Sequence, residues 1–506
     1  MRPQGTRDRA PGGSSRPGAG VPSRGAEPSN TSYAPPPVPH AGPSSGLPRP
    51  PPRRAGEPGR THRRPQHIHG APAGAPDPHR NAHAHVPPQA SVSRTQRMFG
   101  EIEQRAGGEG QAGGAGGGTT WKALEGADRA WEAMRKGPAQ KAGRPFVTER
   151  VGPAGRAADF DVVVCGGTLG IFFAAALQAK GIRTCVIERG PLTGRSQEWN
   201  ISREELGDLV ASGVMTAAEV EAAINIEFNP NRVAFHEGAE VWTRDVLNIG
   251  VSPVKLVGAA RANFEAAGGV VMEGTAVGGV EVRSDVATVD VGDGGAGVTA
   301  RLIVDCMGHA SPIVRQYRAG QRPDGVCLVV GTVGSGYVDN DTSDIIATAS
   351  HQQPAGSPVP DAQIFWEAFP AGSGETDRTT YMFSYMDADA SRPSLAAFFE
   401  LYWDLLPGYQ GVRLEDIEFK RALFGFFPTY RDSPIQTQHG RVLQIGDASG
   451  IQSPLSFGGF GALLRHLSRL SGAVERCVRE DLCDRDTLNA INAYSPGLSA
   501  AWLFQR

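Results

Sequence analysis

An acid set among aromatic residues is the first candidate for chemistry. Glu367 stands in the run Phe365-Trp-Glu-Ala-Phe-Pro370, and strand alternation places it on one face with Phe365 and Phe369. Burial disfavours the charged form of a carboxyl, so an acid in such surroundings stays protonated near neutrality and can act as a general acid. A lone buried acid is costly unless it is functional or paired. The alternative role for Glu367 is therefore a structural ion pair with an arginine such as Arg431.

Glycine turns at two distant points offer a second chemistry, the binding of phosphates. Asp161-Val-Val-Val-Cys165 reads as a buried strand and leads at once into Gly166-Gly167-Thr168-Leu169-Gly170. Residues 171–180 read as a helix closed by Gly181, and residues 183–187 as a second strand ending in Glu188. A helix N-terminus presents unpaired N–H groups and a partial positive charge to a pyrophosphate. Gly167 lets the backbone approach the phosphates, Gly170 lets helix and strand pack closely, and Glu188 can accept hydrogen bonds from ribose hydroxyls. Cys165 stands where the first glycine of the usual GxGxxG fingerprint falls, with Gly166 as an extra glycine beside it.

The far end of the chain separates a flavin from a nicotinamide dinucleotide. Arg441-Val-Leu-Gln-Ile445 reads as a strand that runs into Gly446-Asp447-Ala448. A loop containing Pro454 follows, then Gly458-Gly459-Phe460-Gly461 and a helix through Leu463, Leu467, Leu470 and Val474. Asp447 suits a ribityl chain, and Gly446 lets the backbone pass close to phosphates. The Gly458-Gly459 turn aims N–H groups at the pyrimidine edge of an isoalloxazine. There a helix N-terminus stabilises the anionic reduced ring by up to about 1–2 kcal/mol. A simple NAD-binding domain needs no such second site, so the two ends together predict FAD. Between them, Ile303-Val-Asp-Cys-Met-Gly308 reads as a return to the main sheet, with Asp305 and Gly308 at a strand end facing the dinucleotide.

Turns of this kind need a parallel sheet to hold them. The order of elements predicts an α/β, Rossmann-like FAD-binding domain in two parts, residues 159–308 and 441–506. Residues 309–440 interrupt it with strand-like runs at 326–330, 363–369, 379–386 and 419–426 and an amphipathic helix over 395–406, read as an antiparallel-sheet substrate domain. Ahead of these lies a helical lead-in, 119–158, with Trp121, Leu124, Ala127, Trp131 and Met134 on one stripe. Residues 1–118 are Pro, Gly, Ala, Ser and Arg, and the first 100 carry fourteen arginines, no lysine and four acids. Such a segment cannot bury enough apolar surface to order itself, and it reads as a disordered arm with the character of an organelle transit peptide. The whole chain is nevertheless at −3, so the body is acidic, which argues against nucleic acid as a partner. No apolar run is long enough to span a bilayer. Six cysteines without zinc or CxxC spacing point to reduced thiols, and no metal site is expected.

The blocks CGGTLGIF (165–172), QEWNISREEL (197–206), FNPNR (228–232), DGVCLVVG (324–331), FWEAFPAGSG (365–374), FPTYRDSP (427–434) and GDASGIQSPLSFGGFG (446–461) carry a resemblance over residues 145–506. The chain resembles the superfamily of flavin-dependent hydroxylases, geranylgeranyl reductases and lycopene cyclases, and within it the CruA/CruP-type lycopene cyclases of plants, algae and cyanobacteria. That resemblance implies an FAD-bound protein of carotenoid metabolism in the plastid, with thylakoid association, peripheral membrane contact and an apolar isoprenoid or carotenoid substrate. It also implies acid-catalysed closure of a polyene end in the presence of reduced flavin without net redox change. The Glu-Glu pair of the well-known cyclase motif is absent, and relatives continue past this end with a further apolar region.

In that setting Glu367 is the proton donor, and Phe365, Trp366, Phe369, Tyr381, Phe383, Phe426 and Phe427 are candidates for the wall of an apolar pocket. Arg195, with Gln197, Glu198 and Trp199, falls where flavoproteins of this shape often place an arginine near the cofactor. Tyr430, Arg431 and Asp432 are candidates for the flavin's border, while His236 and His309 read as structural. Three functions compete: a cyclase-like flavoenzyme, a flavin-dependent oxidoreductase or monooxygenase on an isoprenoid, and a flavin- or carotenoid-binding paralogue without catalysis.

Overall fold

A computed structural model of the chain describes residues 93–105, 120–137, 144–235, 238–292, 295, 297–338, 340–348, 356–357, 359, 362–450 and 459–493. In chain order these form helices α1 (Arg94–Arg105) and α2 (Trp121–Arg135), strands β1 (Val147–Glu149) and β2 (Phe160–Cys165), helix α3 (Gly170–Ala179), and strands β3 (Thr184–Ile187) and β4 (Trp199–Ile201). Helices α4 (Arg203–Ala211) and α5 (Ala217–Ala223) precede strands β5 (Ile224–Glu227), β6 (Asn231–Phe235), β7 (Glu240–Thr243) and β8 (Ile249–Val251). Helix α6 (Pro253–Ala266) leads to β9 (Val270–Met272), β10 (Gly279–Val282), β11 (Ala287–Asp290) and β12 (Val298–Asp305). Helix α7 (Pro312–Tyr317) is followed by β13 (Gly325–Ser335), β14 (Ser343–Thr348), β15 (Ile364–Pro370) and β16 (Arg378–Met386). Helix α8 (Leu395–Gln410), strands β17 (Glu418–Thr429) and β18 (Val442–Gln444), and helices α9 (Gly459–Glu480) and α10 (Arg485–Ala493) complete the list.

The apolar runs at 160–165, 184–187 and 298–305 become β2, β3 and β12 of an eight-stranded sheet, joined in the order β1-β10-β11-β12-β2-β3-β9. Strand β18 replaces β11 beside the C-terminal half of β12, pairing Asp305 with Gln444. At that end β18, β12, β2 and β3 are all parallel. Continuous apolarity is required because both faces are covered. Val162, Val164, Leu302 and Val304 pack under α3, α6 and α9, whereas Val163, Cys165 and Ile303 face Ile313, Val314 and Tyr317 of α7.

The second sheet has seven strands in the order β17-β13-β16-β15-β14-β6-β7. Neighbours are antiparallel except β14 and β6, which run parallel. The four strand-like runs of the inserted region all lie in it. Its edge is completed by β6 and β7, which come from well upstream of residue 309, so the inserted segment does not build this sheet alone. One face is buried by α8 through Phe398, Phe399, Tyr402 and Trp403, and by Leu124 and Trp131 of α2. The other face carries Cys327, Val329, Phe369, Tyr381, Phe383 and Leu423.

Residues 94–105 correct the reading of the arm, which extended to 118. They form α1, with Phe99 and Ile102 fully buried in the helix layer of the second sheet. Thr95 is tied on both sides: its N–H donates to Glu400 at 2.8 Å, and its hydroxyl accepts from Trp403 Nε1 at 3.2 Å. Burial of Phe99 and Ile102 contributes about 1.5–3 kcal/mol each, enough to order a short segment whose neighbours in sequence dilute its composition. The earlier arm, and with it the transit-peptide reading, lies outside the described residues. All six cysteines are free thiols. Among the described residues no helix is long and apolar enough to cross a membrane.

Candidate functional site

Parallel strands deliver their following turns to one edge. After β2 comes the turn Gly166–Leu169, after β12 the turn Cys306–Ser311, and after β18 the segment Gly446–Ala448. The register places Cys165 beside Asp305 and Asp305 beside Gln444, and Ile445 N–H donates to the Asp305 carbonyl at 2.9 Å. Three segments distant in sequence therefore meet at the carboxyl ends of adjacent strands, the place where open α/β sheets bind ligands.

The first turn is fixed by its glycines. Gly166, read from sequence as an extra residue, has φ of +97° and a Cβ there would lie 2.6 Å from the Cys306 carbonyl oxygen. Gly170 opens α3 so close to β2 that a Cβ would meet Val164 Cγ1 at 2.8 Å. No side chain caps the N-terminus of α3. Glu188, at the end of β3, lies across this turn: its carboxylate accepts from Gly167 N–H at 2.7 Å and from Gly190 N–H at 3.2 Å.

Asp305 is buried, and both of its oxygens serve the next turn. It accepts from Met307 N–H at 3.0 Å and from the Ser311 hydroxyl at 2.6 Å; burial pushes its carboxyl up to about 6. Its evident task is to shape the loop that carries Gly308. Asp447 differs. It too is pushed up to about 6 by burial, against the opposing charge of Arg195, but its Oδ1 has no partner among the described residues. Gly459, the first residue of α9, passes so near that a Cβ would lie 2.5 Å from that oxygen. Pro454 and Gly458 lie outside the described residues.

Arg195 connects this edge to the second sheet, since its charge bears on Asp447 and also on Tyr381 of β16. The segment after it binds the chamber face. Gln197 donates to Thr379 Oγ1 at 3.1 Å, Glu198 accepts from Asn225 at 2.8 Å and from Gly372 N–H at 3.1 Å, and Trp199 packs on Phe460 with ring centroids 4.4 Å apart.

Glu367 stands on that face, opposite Tyr381 in register. Phe365 stacks on Phe383 at 5.5 Å, and Phe369 on Phe228 at 6.0 Å. The carboxyl's one hydrogen-bond partner among the described residues is Asn200, whose Nδ2 donates at 3.3 Å. Burial raises Glu367 to about 7, against the Asn200 hydrogen bond. Part of the residue's surface remains accessible on this face of the sheet, the chamber face, so named because it carries the candidate pocket residues Phe365, Phe369, Tyr381 and Phe383. Across the sheet, Gly331 makes room for Tyr381, because a Cβ there would meet the ring at 2.8 Å.

The suggested ion pair with Arg431 is not formed. Arg431 is exposed and faces Asp324 at 3.7 Å. Tyr430 lies under the Arg318 guanidinium at 4.0 Å, and Asp432 pairs with the same arginine. Of the three, Asp432 borders a polar cleft with Arg318, Tyr317 and Gln438. Trp366 and Phe426 belong to the opposite, helix-covered core, so they do not line the chamber. His309 packs against Phe426 and Phe427, and burial lowers it to about 4; His236 lies outside the described residues. Sequence reasoning missed Asn200, whose role depends on β4 crossing to β15. It also missed Arg421, which shares the chamber face through its pairing with Val333.

No protein-family model matches the chain, and no curated protein matches it by sequence. Solved structures do match in shape. A geranylgeranyl bacteriochlorophyll reductase-like protein from Thermoplasma acidophilum superposes with a TM-score of 0.53 at 15% identity, over 71% of this chain and 87% of that one. The halogenase PltM in complex with phloroglucinol and FAD gives 0.51 at 14% identity, over 66% and 73%. A putative FAD-containing monooxygenase from Photorhabdus luminescens gives 0.50 at 14% identity, over 69% and 97%.

The chain shares its fold with these three structures, one of which holds FAD. Within this fold the residues present suit a flavin dinucleotide on two local observations. Asp447 holds a buried oxygen with no partner among the described residues. Gly308 and Gly446, both with positive φ, border open space where a Cβ would meet nothing within 4 Å. Gly166, Gly167, Gly170 and Glu188 are the candidates to hold an adenosine diphosphate half, and Gly446, Asp447 and Gly459, with Arg195 nearby, those to hold a flavin half.

Proposed function

We propose that this chain is an FAD-dependent enzyme that acts on an apolar isoprenoid by protonating a polyene end, a lycopene-cyclase-like reaction of the CruA/CruP type. The observation that carries the reading is Glu367: a carboxyl raised to about 7, flanked by stacked aromatic rings, on the sheet face joined to the flavin edge through Arg195 and Asn200. FAD, held by the glycine turns and Asp447, would when bound and reduced supply an electron-rich surface for the reaction. Raised to about 7, Glu367 retains a substantial protonated fraction at neutral pH; that form gives its proton to the terminal double bond, breaking the O–H bond and forming one C–H bond. Phe365, Phe383 and Tyr381 present π faces to the resulting cation. A neighbouring double bond closes the ring, and loss of one proton balances the first, so the product has the substrate's mass. Asn200 holds the carboxyl in place.

The test is anaerobic incubation of FAD-loaded protein with lycopene and dithionite. A product of unchanged mass and new retention time, lost in Glu367→Gln, is the expected result. The reductase-like protein and the monooxygenase among the structural neighbours favour a second reading, a flavin oxidoreductase on an isoprenoid. A product that has gained hydrogen or oxygen would replace the first reading with the second. The proposal includes residence in the plastid with peripheral contact to the thylakoid, where such a substrate dissolves, and excludes nucleic acid as a partner. Fractionation of a fluorescent fusion carrying the whole chain checks it, and a signal outside the plastid would refute it.

A further inference from the structure

The register of the second sheet aligns Glu367 with Ile345 on β14, Ile345 with Val233 on β6, and Val233 with Val241 on β7. Residues paired in this way point to the same face, so an apolar row runs from the acid to the edge of the sheet. Three inter-strand steps of about 4.8 Å make it about 14 Å long. Phe235 lies on the same face, two residues beyond Val233.

The edge hairpin displays these side chains openly. Phe235 is 65% exposed, Val241 58% and Val233 40%. Edge strands in water normally turn polar groups outward. On the other face of this hairpin Arg232 pairs with Glu240 at 3.1 Å and lies over the Trp242 ring at 6.0 Å, so the large apolar side chain there, 51% exposed, sits under a guanidinium. Val233, Val241 and Phe235 lie instead on the face that carries Glu367, which ties them to the ligand on which Glu367 would act.

We propose that this row is a track for the chain of a long apolar ligand, with the reacting end at Glu367 and the remainder laid over Ile345, Val233, Val241 and Phe235. The inference rests on the isoprenoid reading above and deepens it, because it makes ligand length a requirement: a chain shorter than the row leaves the hairpin uncovered.

The full-length protein, supplied with FAD, is titrated with the fluorescent polyene cis-parinaric acid, with octanoate as a short competitor. Val233→Asp and Val241→Asp each place a charge on the track and weaken parinaric acid about tenfold or more. Octanoate, shorter than the row of about 14 Å and so not obliged to reach the hairpin, keeps its affinity in both. Val241→Leu, which keeps the track apolar, retains wild-type binding, as does Trp242→Ala on the opposite face. Three outcomes overturn the track: no parinaric acid binding by the wild type, equal binding by the Asp variants, or an equal loss in Trp242→Ala. The two proposals fail separately. A protein that refuses FAD but shows the face-dependent loss keeps the track and drops the flavoenzyme. A protein that cyclises lycopene with unaltered rate in Val241→Asp does the reverse.

Discussion

Replacing Glu367 with glutamine isolates the energetic signature of a carboxyl held neutral. Its ordinary value is 4.5 and burial lifts it to about 7. Between those values the folded protein binds more protons at this site than the unfolded chain does, so stability falls as pH rises. The loss begins near 4.5, is complete once pH passes about 7, and amounts to about 3 kcal/mol at about 1.36 kcal/mol per pH unit. Below 4.5 both states are protonated and the site contributes nothing. Glutamine can still accept from Asn200 but has no charged form. The difference in unfolding free energy between Glu367→Gln and wild type should therefore grow by about 3 kcal/mol in the variant's favour from pH 4.5 to 8. Urea unfolding at four or five pH values measures it, and taking the difference cancels every other titrating group. In the same variant, turnover falls about 10²–10⁴-fold, while wild-type turnover declines as pH rises through 7. A difference independent of pH would show that Glu367 ionises freely and would remove the basis for its role as an acid.

Three further outcomes follow from the geometry. Gly166→Ala forces a side chain into a left-handed backbone and against the Cys306 carbonyl, for a loss of about 2–5 kcal/mol in urea unfolding, with FAD binding abolished by flavin fluorescence. Asp447→Asn removes the carboxylate from a charge-assisted bond worth about 1.5–3 kcal/mol, so FAD binds about tenfold or more weakly. Asp447 also has a raised value, so the flavin-free variant should be more stable than wild type at pH 8, where an ionised buried carboxyl is costly, and equal to it at pH 4; thermal melts compare them. Phe99→Ala opens a cavity between α1 and Phe399, costing about 3–5 kcal/mol, which urea unfolding detects without change in flavin affinity.

The parallel β2–α3–β3 unit was legible because a fully buried strand leaves an unbroken apolar run and its turn can only be made of glycine. Even there, the need for Gly166 came from outside the motif: Cys306, 140 residues downstream, supplies the carbonyl that a Cβ would strike. Glu367's face was legible for the same local reason, alternation with Phe365 and Phe369. Its partner was not, since Asn200 reaches it only through the pairing of β4 with β8 and the approach of that small sheet to β15. Trp366 shows the limit from the other side: it is adjacent to Glu367 in sequence and belongs to the other core. The α1 helix escaped notice because twelve ordered residues adjoin a long proline- and glycine-rich tract, and an average over both reports the tract. Strands β6 and β7 are short and polar on one face, and nothing local announces that they cross to a sheet built 100 residues later.

Strand β18 contains only Val442–Gln444, yet Asp447 reaches the dinucleotide edge only when it is seated beside β12. The first glycine turn leaves the ribosome nearly 280 residues before that strand does. Capture of a flavin dinucleotide would therefore wait until residue 447 has been made. A chain interrupted before residue 442 would possess the first glycine turn and the acid-bearing sheet without the strand that seats Asp447.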